Sequence, residues 1–155
     1  MQQLLGEQLA NEIVQQVSGL VSGEPDLIAN LSNVSALLNQ YLPDINWVGF
    51  YIMREGELVL GPFQGKVACI RIPVGRGVCG TAAATRETQR IDDVHAFPGH
   101  IACDGASNSE LVVPIIVNDN VVAVLDIDSP KHARFSVEVQ QEIEAVVDVL
   151  ATLNW

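Results

Sequence analysis

The residues in this chain able to do chemistry together are three thiols, Cys69, Cys79 and Cys103, and three carboxylates, Glu110, Asp126 and Asp128. Cys103 lies inside PGHIACDGASNSE, from Pro98 to Glu110, where Gly99, Asp104, Gly105, Ser107, Asn108 and Ser109 mark a loop. Free cysteines usually behave as small buried hydrophobes, so packing explains a thiol on a polar loop poorly. Loops held by rigid elements commonly carry chemistry. Asp126 and Asp128 alternate with Leu125 and Ile127, so both carboxylates leave one face of a strand. Glu110 opens the strand expected to pair with it. Antiparallel pairing sets the start of one strand beside the end of the next, which gathers three carboxylates next to a thiol.

Such a cluster attracts a cation, and an ammonium group on a small ligand is a natural guest. Crowded carboxylates raise one another's pKa, so one is able to stay protonated as a general acid. The same field raises the pKa of Cys103 and suppresses its thiolate. The other two cysteines are less telling. KVACIRIPV reads as a strand in which Cys69 shares a face with Val67 and Arg71, leaving packing and redox roles both open. Cys79 sits in GRGVCG before Gly80 and reads first as a small residue at a helix start. A zinc site from the cysteines and His100 lacks any C-x-x-C pair, so no metal is expected. The Gly75, Gly77 and Gly80 run lacks the G-K-[ST] ending of a phosphate loop.

The elements that must position these groups follow from periodicity. Leu4, Leu5, Leu9, Ile13, Val14 and Val17 give Gln2 to Val21 a helical face, and Pro25 suits the first turn of a second helix from Asp26 to Tyr41. INWVGFYIM reads as a strand that puts Trp47, Gly49 and Tyr51 on one face, with ELVLGPF as its hairpin partner and KVACIRIPV as a third strand. GRGVCGTAAATRE offers a short helix, and Thr88 to Val94 a short strand. Leu111 to Val117 and Val121 to Asp128 form a hairpin joined by Asn118-Asp119-Asn120, and Ser136 to Leu153 returns to helical spacing. Hairpins and grouped elements predict an α+β fold with a mainly antiparallel central sheet flanked by N- and C-terminal helices.

At 155 residues, 48% hydrophobic and 17% charged, the chain is expected to be one folded domain. Its net charge of −11 argues against nucleic acid and anionic membranes as partners. No apolar stretch has the length of a membrane span and the N-terminus is not a secretory signal, so a cytoplasmic, reducing location is expected.

The motifs NWVGFYI, LVLGPFQGKVACIRIPVGRGVCGTAA, DVHAFPGHIACD, SNSELVVPI and LDIDSP closely resemble those of the free methionine-(R)-sulfoxide reductases, proteins of the GAF fold. The resemblance runs from about Asn46 to the C-terminus and implies a single GAF-like domain over residues 1–155. It implies that Cys103 attacks the sulfur of free methionine-(R)-sulfoxide while a protonated Glu110 or Asp126 assists the departure of its oxygen from that sulfur. Cys103 would be left as a sulfenic acid, and Cys69 would condense with it into a disulfide, with Cys79 as a substitute resolving thiol. Trp47 and Tyr51 would pack on the substrate, Asp128 and Glu110 would hold its ammonium group, loop N–H groups its carboxylate, and Asp126 would also line the substrate site. No bound cofactor is implied. Reducing equivalents would come from thioredoxin, ultimately NADPH, in a role countering oxidative stress. A homodimer is compatible with the pattern. The rival readings are a GAF domain that only binds a small ligand, and a thiol redox sensor without turnover.

Overall fold

The computed structural model describes residues 2–99 and 105–155, with side chains from residue 12 onward. Cys103, His100 and the middle of their loop therefore lie outside the described residues. The chain runs through α1 (Gln2–Val21), α2 (Leu27–Tyr41), β1 (Trp47–Arg54), β2 (Glu57–Gly65), β3 (Arg71–Pro73), α3 (Gly77–Thr85), β4 (Gln89–Ile91), β5 (Ser109–Val117), β6 (Asn120–Ser129) and α4 (Val137–Leu150). The strands form one six-stranded sheet in the order β3-β2-β1-β6-β5-β4, with every pairing antiparallel. The α+β architecture with N- and C-terminal helices is the one expected from periodicity.

Strand alternation divides the sheet into two faces. Val48, Phe50 and Ile52 of β1, Leu111, Val113 and Ile115 of β5, and Ala123, Leu125 and Ile127 of β6 pack into a main core. That core is closed by Ile13 and Val17 of α1, Leu31, Val34 and Leu38 of α2, and Ile143, Val146 and Leu150 of α4. The opposite face carries Trp47, Tyr51, Val112 and Val124, covered by Val78, Cys79, Ala82 and Ala83 of α3. Among the described residues, no helix is long and apolar enough to cross a membrane.

Local chemistry fixes the ends of these elements. Asp26 is the N-cap of α2, its side chain accepting from Ala29 N at 2.8 Å, so Pro25 stands before the helix rather than in its first turn. Ser136 caps α4 in the same way through Val139 N. The β5–β6 hairpin turns on two residues, not three. Asn118 and Asp119 both have positive φ, as a tight primed turn requires, and Asn120 already belongs to β6. The short strand expected over residues 88–94 is confined to Gln89–Ile91, and a 3₁₀ turn takes up Val94–Ala96.

The expected third strand is the largest departure. Only Arg71–Pro73 pairs with β2, and Cys69 lies in the loop before it. The carbonyls of Lys66 and Cys69 accept side-chain bonds from Trp47 Nε1 (3.1 Å) and Tyr51 Oη (2.9 Å), which draws this segment away from a regular ladder. Gly65, at φ 141°, begins the departure, and a Cβ there would lie 2.5 Å from the Trp47 ring.

Gly49 sits where the β1–β2 register shifts, and a Cβ there would meet Phe63 Cβ at 2.3 Å and Phe63 Cα at 2.7 Å. Gly49→Ala is therefore expected to cost about 1–3 kcal/mol, as overpacking does, seen as a lower urea midpoint. Gly19→Ala, in open space on α1, should be neutral or stabilising by up to ~1 kcal/mol. Equal losses from both would remove the steric account.

Candidate functional site

The β1–β6–β5 register builds the site. Asp128 is the cross-strand partner of both Trp47 on β1 and Glu110 on β5, and Asp126 is the partner of Gly49 and Val112. The α3-covered face therefore carries, side by side, the aromatic residues of β1 and the acidic residues of β5 and β6. Glu110 is already inside β5, which starts two residues before the expected strand, so its side chain is directed by the ladder. Glu110 and Asp126 are buried, at 8% and 5% exposure.

Trp47 is stacked between Tyr51, with ring centroids 5.9 Å apart, and Phe63, at 5.2 Å. Burial, reinforced by Asp126 and neighbouring groups, raises the Tyr51 pKa and keeps the phenol protonated. Its hydroxyl thus donates to the Cys69 carbonyl. The aromatic shelf and the loop carrying Cys69 are one hydrogen-bonded unit. Cys69 is disulfide-bonded, whereas Cys79 is a free thiol.

Cys79 is more than a filler at a helix start. Its Sγ lies 4.0 Å from Glu110 Oε2, and it meets Glu110 and Asp126 in one buried group whose donor atoms are all within 4.8 Å of one another. Burial first, and the carboxylates of Asp126, Glu110 and Asp128 next, push this thiol up and hold it protonated. The glycines around it have steric work. Gly75 and Gly77 have positive φ, and a Cβ on Gly80 would lie 2.5 Å from the Pro73 carbonyl. They seat α3 against the turn after β3, and Arg76 precedes the helix without a side-chain capping bond.

Desolvation raises Glu110 well above its ordinary value, and Asp126 adds to the shift. Asp126 is raised in the same way, by desolvation and then by the charge of Asp128. The cluster consequently favours holding protons among its carboxyls. Together these groups border a cavity of about 50 Å³, with Trp47 and Tyr51 on one side, the three carboxylates on another, and Arg76, Gly77 and Val78 at the helix end. Sequence reasoning missed Arg76, Phe63 and the anchoring carbonyl of Lys66. It also missed Ser107, which accepts from Asn46 Nδ2 at 3.2 Å. Only Arg76 carried a signal, as the single charge within a glycine-rich helix entry.

The GAF domain family profile matches residues 6–153. The free methionine-R-sulfoxide reductase of Escherichia coli (strain K12) is 53% identical over 148 residues, covering 93% of this chain and 90% of that one. The chain belongs to the GAF-type free methionine-R-sulfoxide reductases. Two solved relatives agree with that. The fRMsr of Staphylococcus aureus, in complex with substrate, superposes with a TM-score of 0.88 at 50% identity, covering 92% of this chain and 93% of that one. The free methionine-R-sulfoxide reductase of Neisseria meningitidis, also in complex with its substrate, gives 0.89 at 42% identity, over 92% and 86%. The family is one of oxidoreductases.

Because the folded state holds protons on Glu110 and Asp126 above their ordinary values of 4.5 and 3.8, it binds more protons than the unfolded chain in that interval. Stability should therefore fall as pH rises above those ordinary values and through the raised folded ones. Glu110→Gln removes one titrating group and should flatten the slope of urea-derived stability against pH. A slope unchanged by the substitution would contradict a protonated buried cluster.

Proposed function

We propose that this protein reduces free methionine-(R)-sulfoxide to methionine, with Cys103 as nucleophile and Cys69 as resolving thiol. The observation that carries the reading is the cavity itself. An aromatic shelf faces buried carboxylates beside a loop whose cysteine is disulfide-bonded. In this reading Trp47 and Tyr51 pack on the methyl and side chain of the substrate. Glu110, Asp126 and Asp128 take its ammonium group. The first turn of α3, with Arg76, and the N–H groups of the Cys103 loop offer partners for its carboxylate. A peptide-linked methionine has no ammonium group to offer, so free amino acid is the preferred substrate.

The chemistry balances in two steps. Cys103 sulfur attacks the sulfoxide sulfur while a protonated carboxyl, Glu110 or Asp126, hydrogen-bonds the oxygen. Methionine leaves reduced and Cys103 carries the oxygen as a sulfenic acid. Cys69 then attacks that sulfur, the oxygen departs as water, and a disulfide remains. Two features support Cys69 over Cys79 as the resolving thiol. Cys69 is disulfide-bonded and half-buried in a loop, whereas Cys79 is free, buried and pushed toward the neutral thiol. A thioredoxin-type dithiol in the cytoplasm, supplied from NADPH, restores the pair. Residues 1–155 act as one GAF-like unit without a bound cofactor.

The test is methionine release from free and peptide-bound R and S sulfoxides, with thiols counted in parallel. The free R epimer should be consumed with loss of two thiols per protein. Cys103→Ser should fall to the uncatalysed background, and Cys69→Ser should release one equivalent of methionine and then stall. Loss of thiols to peroxide but not to the sulfoxide would instead identify a sensor without turnover. Normal recycling by Cys69→Ser, abolished on adding Cys79→Ser, would transfer the resolving role to Cys79.

A further inference from the structure

Among the described residues, six large hydrophobic side chains are exposed, and three of them fall in the short stretch that carries Cys69: Val67 at 89%, Ile70 at 67% and Val74 at 41%. Scattered exposed apolar residues are ordinary, but half of them within one short segment beside a disulfide is not. Slack in the loop does not explain their exposure. Its backbone is held at three carbonyls, Lys66 by Trp47 Nε1, Cys69 by Tyr51 Oη and Ile70 by Leu60 N at 2.8 Å. The anchors turn Ala68 and Cys69 partly inward and leave Val67 and Ile70 outside.

The charge around the patch departs from the rest of the molecule. In a chain of net charge −11 with 8 basic residues, three of those eight, Lys66, Arg71 and Arg76, fall between positions 66 and 76. All three are exposed. Arg71 is paired with Glu57 at 2.6 Å, which leaves Lys66 and Arg76 as the basic rim. An apolar centre with a charged rim is the anatomy of a transient protein interface.

We propose that Val67, Ile70 and Val74 form the docking surface for the protein dithiol that reduces the Cys69 disulfide, a partner with an apolar rim and acidic groups around its thiols. The proposal rests on the catalytic reading above. Exchange begins when the partner's thiolate attacks the Cys69 sulfur of the disulfide, giving a mixed disulfide and releasing the other sulfur as a thiol. The partner's second thiol then attacks the mixed disulfide. Two electrons pass to this protein, both of its cysteines regain protons, and the partner leaves oxidised. The attacking thiolate has to approach along the S–S axis, so the partner must lie on whatever flanks Cys69.

Turnover of free methionine-(R)-sulfoxide supported by thioredoxin, compared with turnover supported by dithiothreitol, tests this. Val67 also borders the cavity, so the informative variant is Ile70→Ser/Val74→Ser. Its KM for thioredoxin should rise about tenfold, as loss of central interface contacts does, while dithiothreitol-supported turnover stays within about twofold of the parent. Lys66→Glu should raise the same KM, more at low salt than at high. An unchanged KM for thioredoxin would overturn the proposal. So would an equal loss with both reductants, which would make the patch part of the loop's own folding. A dimer dissociated by the double variant in sedimentation would assign the patch to a second copy of this chain instead. Absence of turnover by the parent with dithiothreitol would sink the reductase reading itself, a result distinct from failed docking.

Discussion

The rest of the site depends on the register of three adjacent strands. Asp128 stands between Trp47 and Glu110, and Asp126 between Gly49 and Val112, so two cross-strand rows hold the aromatic and acidic groups together. The same register sends Val48, Phe50, Ile127, Leu125, Leu111 and Val113 into the main core. A slip of one residue would exchange the two sets, driving carboxylates into hydrocarbon and core residues into the cavity. Burial of the apolar set, at roughly 1.5–3 kcal/mol per large side chain, is what makes that exchange prohibitive. The polar site is thus positioned by hydrophobic forces acting on the other side of the same strands.

Holding three carboxyls together under a helix works against stability. The loss is limited by protonation, because a neutral carboxyl costs far less to bury than a carboxylate and is able to donate to its neighbour. By the same physics, a positive charge placed against such a cluster favours its ionised forms. Cys79 shares this environment, and the field that favours a cation disfavours a second anion, which explains why its thiol is held protonated.

Much of this was legible in the sequence because it depends on local pattern. The two-residue alternation of Asp126 and Asp128 with Leu125 and Ile127 fixes a face, and Asn118-Asp119-Asn120 announces a hairpin, though with a turn one residue too long, so the meeting with Glu110 follows from antiparallel pairing. What failed was decided by distant residues. KVACIRIPV has the β-branched composition of a strand, yet Cys69 lies in a loop because side chains on β1, some twenty positions earlier, take its carbonyls. No local propensity reports that competition. Cys79 looked like a small residue at a helix entry, and it is one, but the packing of α3 on β5 and β6 also brings it against Glu110. Of the glycines in that run, Gly80 lets α3 approach the Pro73 carbonyl, while Gly75 and Gly77 supply positive φ.

The two described cysteines show why a reductase of this kind would separate its thiols by backbone context. Disulfide formation requires Cα atoms within about 4.4–6.8 Å and a specific torsion, so at least one partner must sit on chain able to adjust. A cysteine in a ladder between two strands, or on a helix packed by glycines as Cys79 is, would have to break several backbone bonds to move. Cys69 is tied by a carbonyl bond from a single tyrosine hydroxyl and by its neighbours' anchors. That tether helps define where the cysteine rests, and a bond of this type contributes roughly 0.5–1.5 kcal/mol. The tethering groups are Tyr51 and Trp47, the residues that shape the cavity, so the same two side chains that line the cavity set where the cysteine loop rests.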